Sequence, residues 1–145
     1  MFTQWVELKP VRKADGKTIS KAFEELVLFR WETLDYFLSD NGKEFDNKEV
    51  KGMLEEYGVE YAPIPPYHQQ ANPVERVNKT LKVLISMYLK SNHREWDVHI
   101  HEFRHAINCA TQSTTRVSPA FLNLGRHPRP VKSLRRETEG VRLVE

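Results

Sequence analysis

Asp40 stands in Ser39-Asp40-Asn41-Gly42, a turn-forming run directly after the apolar Tyr36-Phe37-Leu38. In open α/β sheets, functional groups collect beyond the carboxyl ends of strands, and a carboxylate there is well placed to hold a metal. The bland alternative is a turn aspartate bonding its own backbone. A second group of polar residues lies between 73 and 90, where the spacing predicts a helix. Glu75, Asn78, Lys79 and Lys82 fall at i, i+3, i+4 and i+7 and form one polar stripe. Val74, Val77, Leu81, Leu84, Ile85 and Tyr88 form the apolar stripe, its centre about 130° away at 100° per residue. Such a helix can bury one side while aiming a carboxylate, an amide and two ammonium groups at one spot. A carboxylate for a divalent cation, with lysines for phosphates, is the equipment of phosphodiester chemistry. The competing reading is a solvated face with Glu75 at the capping-box position after Asn72.

A third motif, His101-Glu102-Phe103-Arg104-His105, has the H-E-x-x-H form of zinc metalloproteases. On that helix Trp96, Ile100, Phe103, Ile107 and Ala110 mark the buried stripe, so His101 and His105 are expected to face solvent. Thr111 stands where the metzincin pattern requires a third histidine. A zinc protease is therefore a remote alternative, and the pair is at most a weak adventitious metal site.

The elements that must position these residues alternate. A strand is expected at Phe2–Leu8, stopped by Pro10. Ile19, Ala22, Phe23, Leu26 and Val27 predict an amphipathic helix from Thr18 to about Arg30. Tyr36–Leu38 reads as a short buried strand. Asp46 is the expected cap of the next helix, with Glu49 as reciprocal partner and Gly58 as the stop. Val59–Ala62 is a strand ended by prolines, and a loop runs from Tyr67 to Ala71. Asn72 and Pro73 open the long helix to about Lys90. Further helices are expected over Arg94 to Gln112 and from Pro119 to Gly125. Strands alternating with helices argue for α/β architecture with parallel neighbours.

Composition bounds the answer. At 145 residues the chain has one domain's length. With 39% hydrophobic and 29% charged residues it reads as a polar globular chain, not a fibre or a membrane protein. No apolar run approaches the roughly 18 residues of a membrane span, and the first ten residues lack a signal pattern. The single Cys109 excludes an internal disulfide and a multi-cysteine zinc site. Net charge is +2, but residues 126–145 alone carry net +3, through Arg126, Arg129, Lys132, Arg135, Arg136 and Arg142 against Glu137, Glu139 and Glu145. The expected organisation is thus a core over 1–125 and a basic tail over 126–145, either solvated or in contact with phosphates.

The strings Ser39-Asp40-Asn41-Gly42-Lys43-Glu44-Phe45 and Pro66-Tyr67-His68-Gln69-Gln70-Ala71-Asn72-Pro73-Val74-Glu75-Arg76-Val77-Asn78-Lys79 resemble the integrase catalytic core of gypsy-like LTR retrotransposons and retroviruses. Phe2-Thr3-Gln4-Trp5, the Trp96-Asp97 region and Ser118–Gly125 are similar to the same family. The motifs occur in the family's order and span nearly the whole chain. The resemblance implies an RNase H-like fold and a D,D-x-E carboxylate triad binding two Mg²⁺ or Mn²⁺ ions. The activity it implies is DNA 3′-end processing and strand transfer by a homo-oligomer in the nucleus. It makes Asp40 the second triad carboxylate and Glu75 the third. Asn78, Lys79 and Lys82 take the DNA-facing positions of the glutamate helix, and Tyr67 and Gln70 those of a loop on the DNA ends.

Three departures accompany it. The family's first Asp lies upstream of the Phe-Thr-x-Trp motif, so that Asp and the first two strands are expected to be missing, and Asp15 is no substitute. Gln69 stands where proline is usual. Asp40 and Glu75 are separated by 34 residues, one fewer than in many relatives. No zinc-binding head is recognised, and only a short basic tail stands where a further DNA- or chromatin-binding domain would begin. The expectation is a polyprotein fragment, inactive alone, with a non-catalytic remnant that binds nucleic acid or a protein partner as the alternative.

Overall fold

The structure is a computed structural model that describes residues 3–31, 34–40, 42–65, 73–89 and 95–128. The chain divides into two compact units, Lys9–Arg76 and Met1–Leu8 with Val77–Glu145.

In the first unit, α1 spans Gly16–Phe23. Asp15 caps it by accepting from the Thr18 backbone N–H at 3.0 Å. That bond holds the Asp15 carboxyl below its usual range, so this aspartate is a cap and not a site carboxylate. The helix begins two residues before the expected Thr18. It then widens into a π-helical segment over Glu24–Leu28 and ends in a single turn, α2, at Phe29–Trp31. Strand β1 is Tyr36–Ser39, α3 is Lys48–Glu56 and β2 is Glu60–Pro63. The two strands pair in parallel, Tyr36 opposite Glu60 and Ser39 opposite Pro63. Connecting parallel neighbours requires a crossover, and α3 supplies it.

The cap of α3 corrects an expectation. Asn47, not Asp46, accepts from the Val50 N–H at 3.0 Å. The amide wins because it also donates, to the carbonyls of Lys43 at 3.1 Å and Glu44 at 2.8 Å, which a carboxylate cannot do. Asp46 pairs with Lys51 instead. Gly58 stops the helix as expected, with φ +68°, a conformation glycine adopts without cost. The core of this unit is Leu28, Val50, Met53, Leu54 and Val59, with Ile19, Phe23, Phe37, Tyr57 and Tyr61 packed around it. Phe37 meets Phe23 edge-on at 4.9 Å between ring centres. β1 is less buried than its composition suggests. Phe37 and Ser39 face inward, while Tyr36 and Leu38, on the opposite pleat, are 57% and 47% exposed.

In the second unit, α4 runs Pro73–Leu89 from its start in the first, α5 is Ile100–Cys109 and α6 is Pro119–Leu124. Pro73 opens α4 as expected, and Asn72 lies outside the described residues. α5 is shorter at both ends than the Arg94–Gln112 expectation, because residues 95–99 form turns and Ala110 is already extended. Ser118 caps α6 by accepting from the Phe121 N–H at 3.1 Å, and Gly125, at φ +66°, ends it. Ile100, Phe103, Ile107, Pro119 and Ala120 are buried, and Tyr88 of α4 stands edge-on to Phe103 at 5.6 Å.

The expected strand at Phe2–Leu8 is not one over its described residues 3–8. Gln4 has φ +54°, which breaks an extended run. Val6, two residues on, finds partners in a side chain instead of a ladder. The Val6 N–H donates to Asn108 Oδ1 at 2.9 Å, and Asn108 Nδ2 donates to the Val6 carbonyl at 2.8 Å. Arg104, one turn earlier on α5, donates to Glu7 Oε2 at 2.7 Å. The segment is therefore a strap on α5. No helix among the described residues is long and apolar enough to cross a membrane.

Candidate functional site

Asp40 follows the last residue of β1, and the chemistry around Ser39 fixes its backbone. Ser39 is buried, and its hydroxyl donates to the Asp40 carbonyl at 2.9 Å. Since that uses the only Ser39 hydroxyl proton, the Tyr61 hydroxyl donates to Ser39 Oγ, 3.2 Å away. The β1–β2 register, with Ser39 beside Pro63 and Tyr61 two residues back, sets up this contact. The Asp40 side chain is exposed, and its Oδ1 accepts from the Gly42 N–H at 3.2 Å. Asp40 is thus a turn aspartate that also presents a carboxylate at the carboxyl end of a parallel strand.

Glu75 lies in the first turn of α4 and is exposed. The observed helix places Asn78, Lys79 and Lys82 with it along one face, and all three are exposed. The opposite stripe is less covered than expected. No described residue of α4 is buried; Val77, Leu81, Leu84, Ile85 and Tyr88 are half-buried, and Val74 is exposed. An open cavity of about 300 Å³ flanks the helix, lined by Asn78, Leu81, Lys82, Ile85 and Trp96. Its lining combines the polar residues Asn78 and Lys82 with the apolar Leu81 and Ile85 and the aromatic Trp96. In the sequence Trp96 reads as a core residue, and its position four residues before the buried Ile100 gives no sign of the cavity.

Tyr67 and Gln70 lie outside the described residues, as does the tail beyond Pro128. Among the described residues there is no group of three His, Cys, Asp or Glu side chains placed to hold a metal ion. The donor set of Asp40 and Glu75 nevertheless suits Mg²⁺ or Mn²⁺ in kind. Magnesium takes hard oxygen ligands, keeps several waters, and is commonly bound by one or two carboxylates together with substrate phosphates. The H-E-x-x-H motif is not assembled as a protease centre. Glu102 pairs with His99 Nδ1 at 3.0 Å instead. His101 is exposed as expected, whereas His105 is half-buried.

No family model matches the chain. In sequence it is similar to the retrovirus-related Pol polyprotein from transposon 412 of Drosophila melanogaster, 24% identical over 126 residues, which are 86% of this chain and 10% of that protein. It is 32% identical over 83 residues to the Gag-Pol polyprotein of Walleye dermal sarcoma virus, covering 57% of this chain and 5% of that protein. The chain thus spans about a tenth or less of the length of these relatives. In structure it is similar to the catalytic core domain of BIV integrase, with a TM-score of 0.68 at 18% identity over 85% of this chain and 80% of that one. The chain thus has the fold of a retroviral integrase catalytic core, of the RNase H-like type, and is similar in sequence to segments of retrotransposon and retroviral Pol polyproteins.

Proposed function

We propose that this chain is the integrase-core segment of a retroelement polyprotein and that it serves metal-dependent processing and joining of DNA ends. The observation that carries the reading is the pairing of two placements. Asp40 sits at the carboxyl end of a parallel strand, and Glu75 leads a helix face that continues as Asn78, Lys79 and Lys82. Asp40 and Glu75 would hold Mg²⁺ or Mn²⁺ through hard oxygens. When bound, such an ion supplies polarisation of the phosphodiester and a lowered pKa for an attacking water. Lys79 and Lys82 neutralise backbone phosphates, and Asn78 offers an amide donor and acceptor beside them. Tyr67 and Gln70 belong to the proposed DNA-end contacts. The working protein is a homo-oligomer acting in the nucleus, where its DNA substrate lies. A second reading, a module that binds nucleic acid without catalysis, is favoured by one observation: among the described residues no three His, Cys, Asp or Glu side chains are grouped as metal ligands.

Duplex DNA binding measured at several salt concentrations tests the proposal. Every phosphate that is no longer neutralised flattens the slope of log K against log salt by about 0.9, so Lys79→Ala/Lys82→Ala is expected to flatten it by about 1.8. Asp40→Asn, which leaves the number of neutralised phosphates the same, should leave the slope in place. An unchanged slope and affinity in the double variant would remove α4 from the DNA surface.

A further inference from the structure

Asp40 is held through its backbone on both sides, and both holds lead to β2. The Ser39 carbonyl, in the peptide before Asp40, accepts from the Ile64 N–H at 2.8 Å. The Asp40 carbonyl, in the peptide after it, accepts from the Ser39 hydroxyl at 2.9 Å, and that hydroxyl accepts from the Tyr61 hydroxyl 3.2 Å away. Two pinned peptide planes fix the direction of the Asp40 side chain between them, because φ and ψ are the backbone's only soft dihedrals. The Gly42 N–H on Oδ1 then limits rotation of the carboxylate. The Tyr61 hydroxyl is itself aimed. In the parallel register Tyr61 pairs with Phe37, so its side chain rises on the pleat that Ser39 shares. The Phe37 ring stacks on it at 6.2 Å between centres, and the Lys51 ammonium, paired with Asp46, lies 5.6 Å from its ring centre.

We propose that Tyr61 is a positioning residue for Asp40, acting through the Ser39 hydroxyl, and that this relay sets how tightly the carboxylate holds its divalent ion. The inference rests on the reading of Asp40 as a metal carboxylate. Without the phenol, the Ser39 hydroxyl keeps its proton but loses the partner that holds its rotor on the Asp40 carbonyl. A serine side chain has three staggered positions, so the bond to that carbonyl is then made only part of the time. Ser39 is buried, which makes water a poor substitute for the phenol. A carboxylate on the loosened turn must be ordered by the ion itself, and that lost freedom weakens binding. The geometry thus gives the β1–β2 register a chemical purpose: it brings a phenol to the one hydroxyl that can hold the backbone of Asp40.

Mn²⁺ binding to the full chain, followed by the electron paramagnetic resonance signal of the free ion, tests this. Tyr61→Phe keeps the ring against Phe37 and removes only the hydroxyl. It should weaken Mn²⁺ affinity by about tenfold, the lower end of the loss when an outer partner of a metal ligand is removed. Ser39→Ala should weaken it at least as much. Adding Tyr61→Phe to Ser39→Ala should cost nothing further, because a relay has no effect once its middle member is gone. Tyr57→Phe is the control for a merely structural loss. It removes another phenol hydrogen bond of the same unit, to Glu24 at 3.3 Å, and should leave the affinity native. Native affinity in Tyr61→Phe, with Asp40→Asn strongly impaired, overturns the relay alone. So do additive losses from Tyr61→Phe and Ser39→Ala, or an equal loss in Tyr57→Phe. Mn²⁺ binding that is absent from the native chain, or unchanged in Asp40→Asn, overturns the carboxylate reading and the relay with it.

Discussion

Leu54→Ala is expected to lower the thermal midpoint of the unit Lys9–Arg76 by at least about 8 °C, the shift that corresponds to the lower end of the roughly 2–5 kcal/mol range for such a truncation. Leu54 is 1% exposed and belongs to the cluster formed with Leu28, Val50, Met53 and Val59. Removing its isobutyl group deletes dispersion contacts with every neighbour, and the ring of Phe23, Phe37, Tyr57 and Tyr61 around the cluster cannot collapse fully into the gap. Leu38→Ala is the internal control. Leu38 is 47% exposed on the outer pleat of β1, so its truncation should move the midpoint by far less. Circular dichroism melts of the two variants decide the matter. Equal shifts would mean that the core does not lie where it is described.

The second large effect is expected at Asn108, which is 3% exposed and bonded twice to the Val6 backbone. In Asn108→Ala both Val6 groups lose their partner at once. Each group left unsatisfied costs about 1–3 kcal/mol, and every 1.4 kcal/mol of local stability corresponds to tenfold in amide exchange. Exchange at Val6 should therefore accelerate by at least about tenfold, with a rise in proteolysis of the strap over residues 3–8. Asn108→Asp is the sharper test. It keeps an acceptor for the Val6 N–H but turns a second carboxylate oxygen toward the Val6 carbonyl, so it should be no better than alanine. Unchanged exchange at Val6 in both variants would show that the strap is held by Arg104 and Glu7 instead.

Much of this arrangement is written in local patterns. Ser118, Pro119 and Gly125 bracket α6 as cap, first residue and left-handed stop, because each acts through bonds to its own neighbourhood. Pro73 and the periodicity after it place α4, and with it the stripe Glu75, Asn78, Lys79 and Lys82. The turn at Ser39–Gly42 likewise places Asp40 at a strand end. What is not legible depends on distant partners. Phe2–Leu8 has strand composition, but the partner of Val6 is an asparagine side chain 102 residues away, and no pattern in the segment announces it. Asp46 and Asn47 are both competent caps, and the choice turns on loop carbonyls that only the folded turn presents to Asn47. The exposure of Tyr36 and Leu38 is similar in kind: their composition argues burial, and only the packing around β1 leaves one pleat uncovered.

Asp40 and Glu75 are proposed to serve one divalent ion although 34 residues separate them. Paramagnetic broadening by Mn²⁺ on the ¹⁵N-labelled chain measures this directly. Manganese prefers oxygen ligands, so it suits a carboxylate site. The account predicts that amides flanking Asp40 and Glu75 broaden together over the same Mn²⁺ range. It also predicts that either Asp40→Asn or Glu75→Gln relieves the broadening at both places. Broadening at one carboxylate alone, or at both but with each substitution affecting only its own neighbourhood, would contradict a shared metal site.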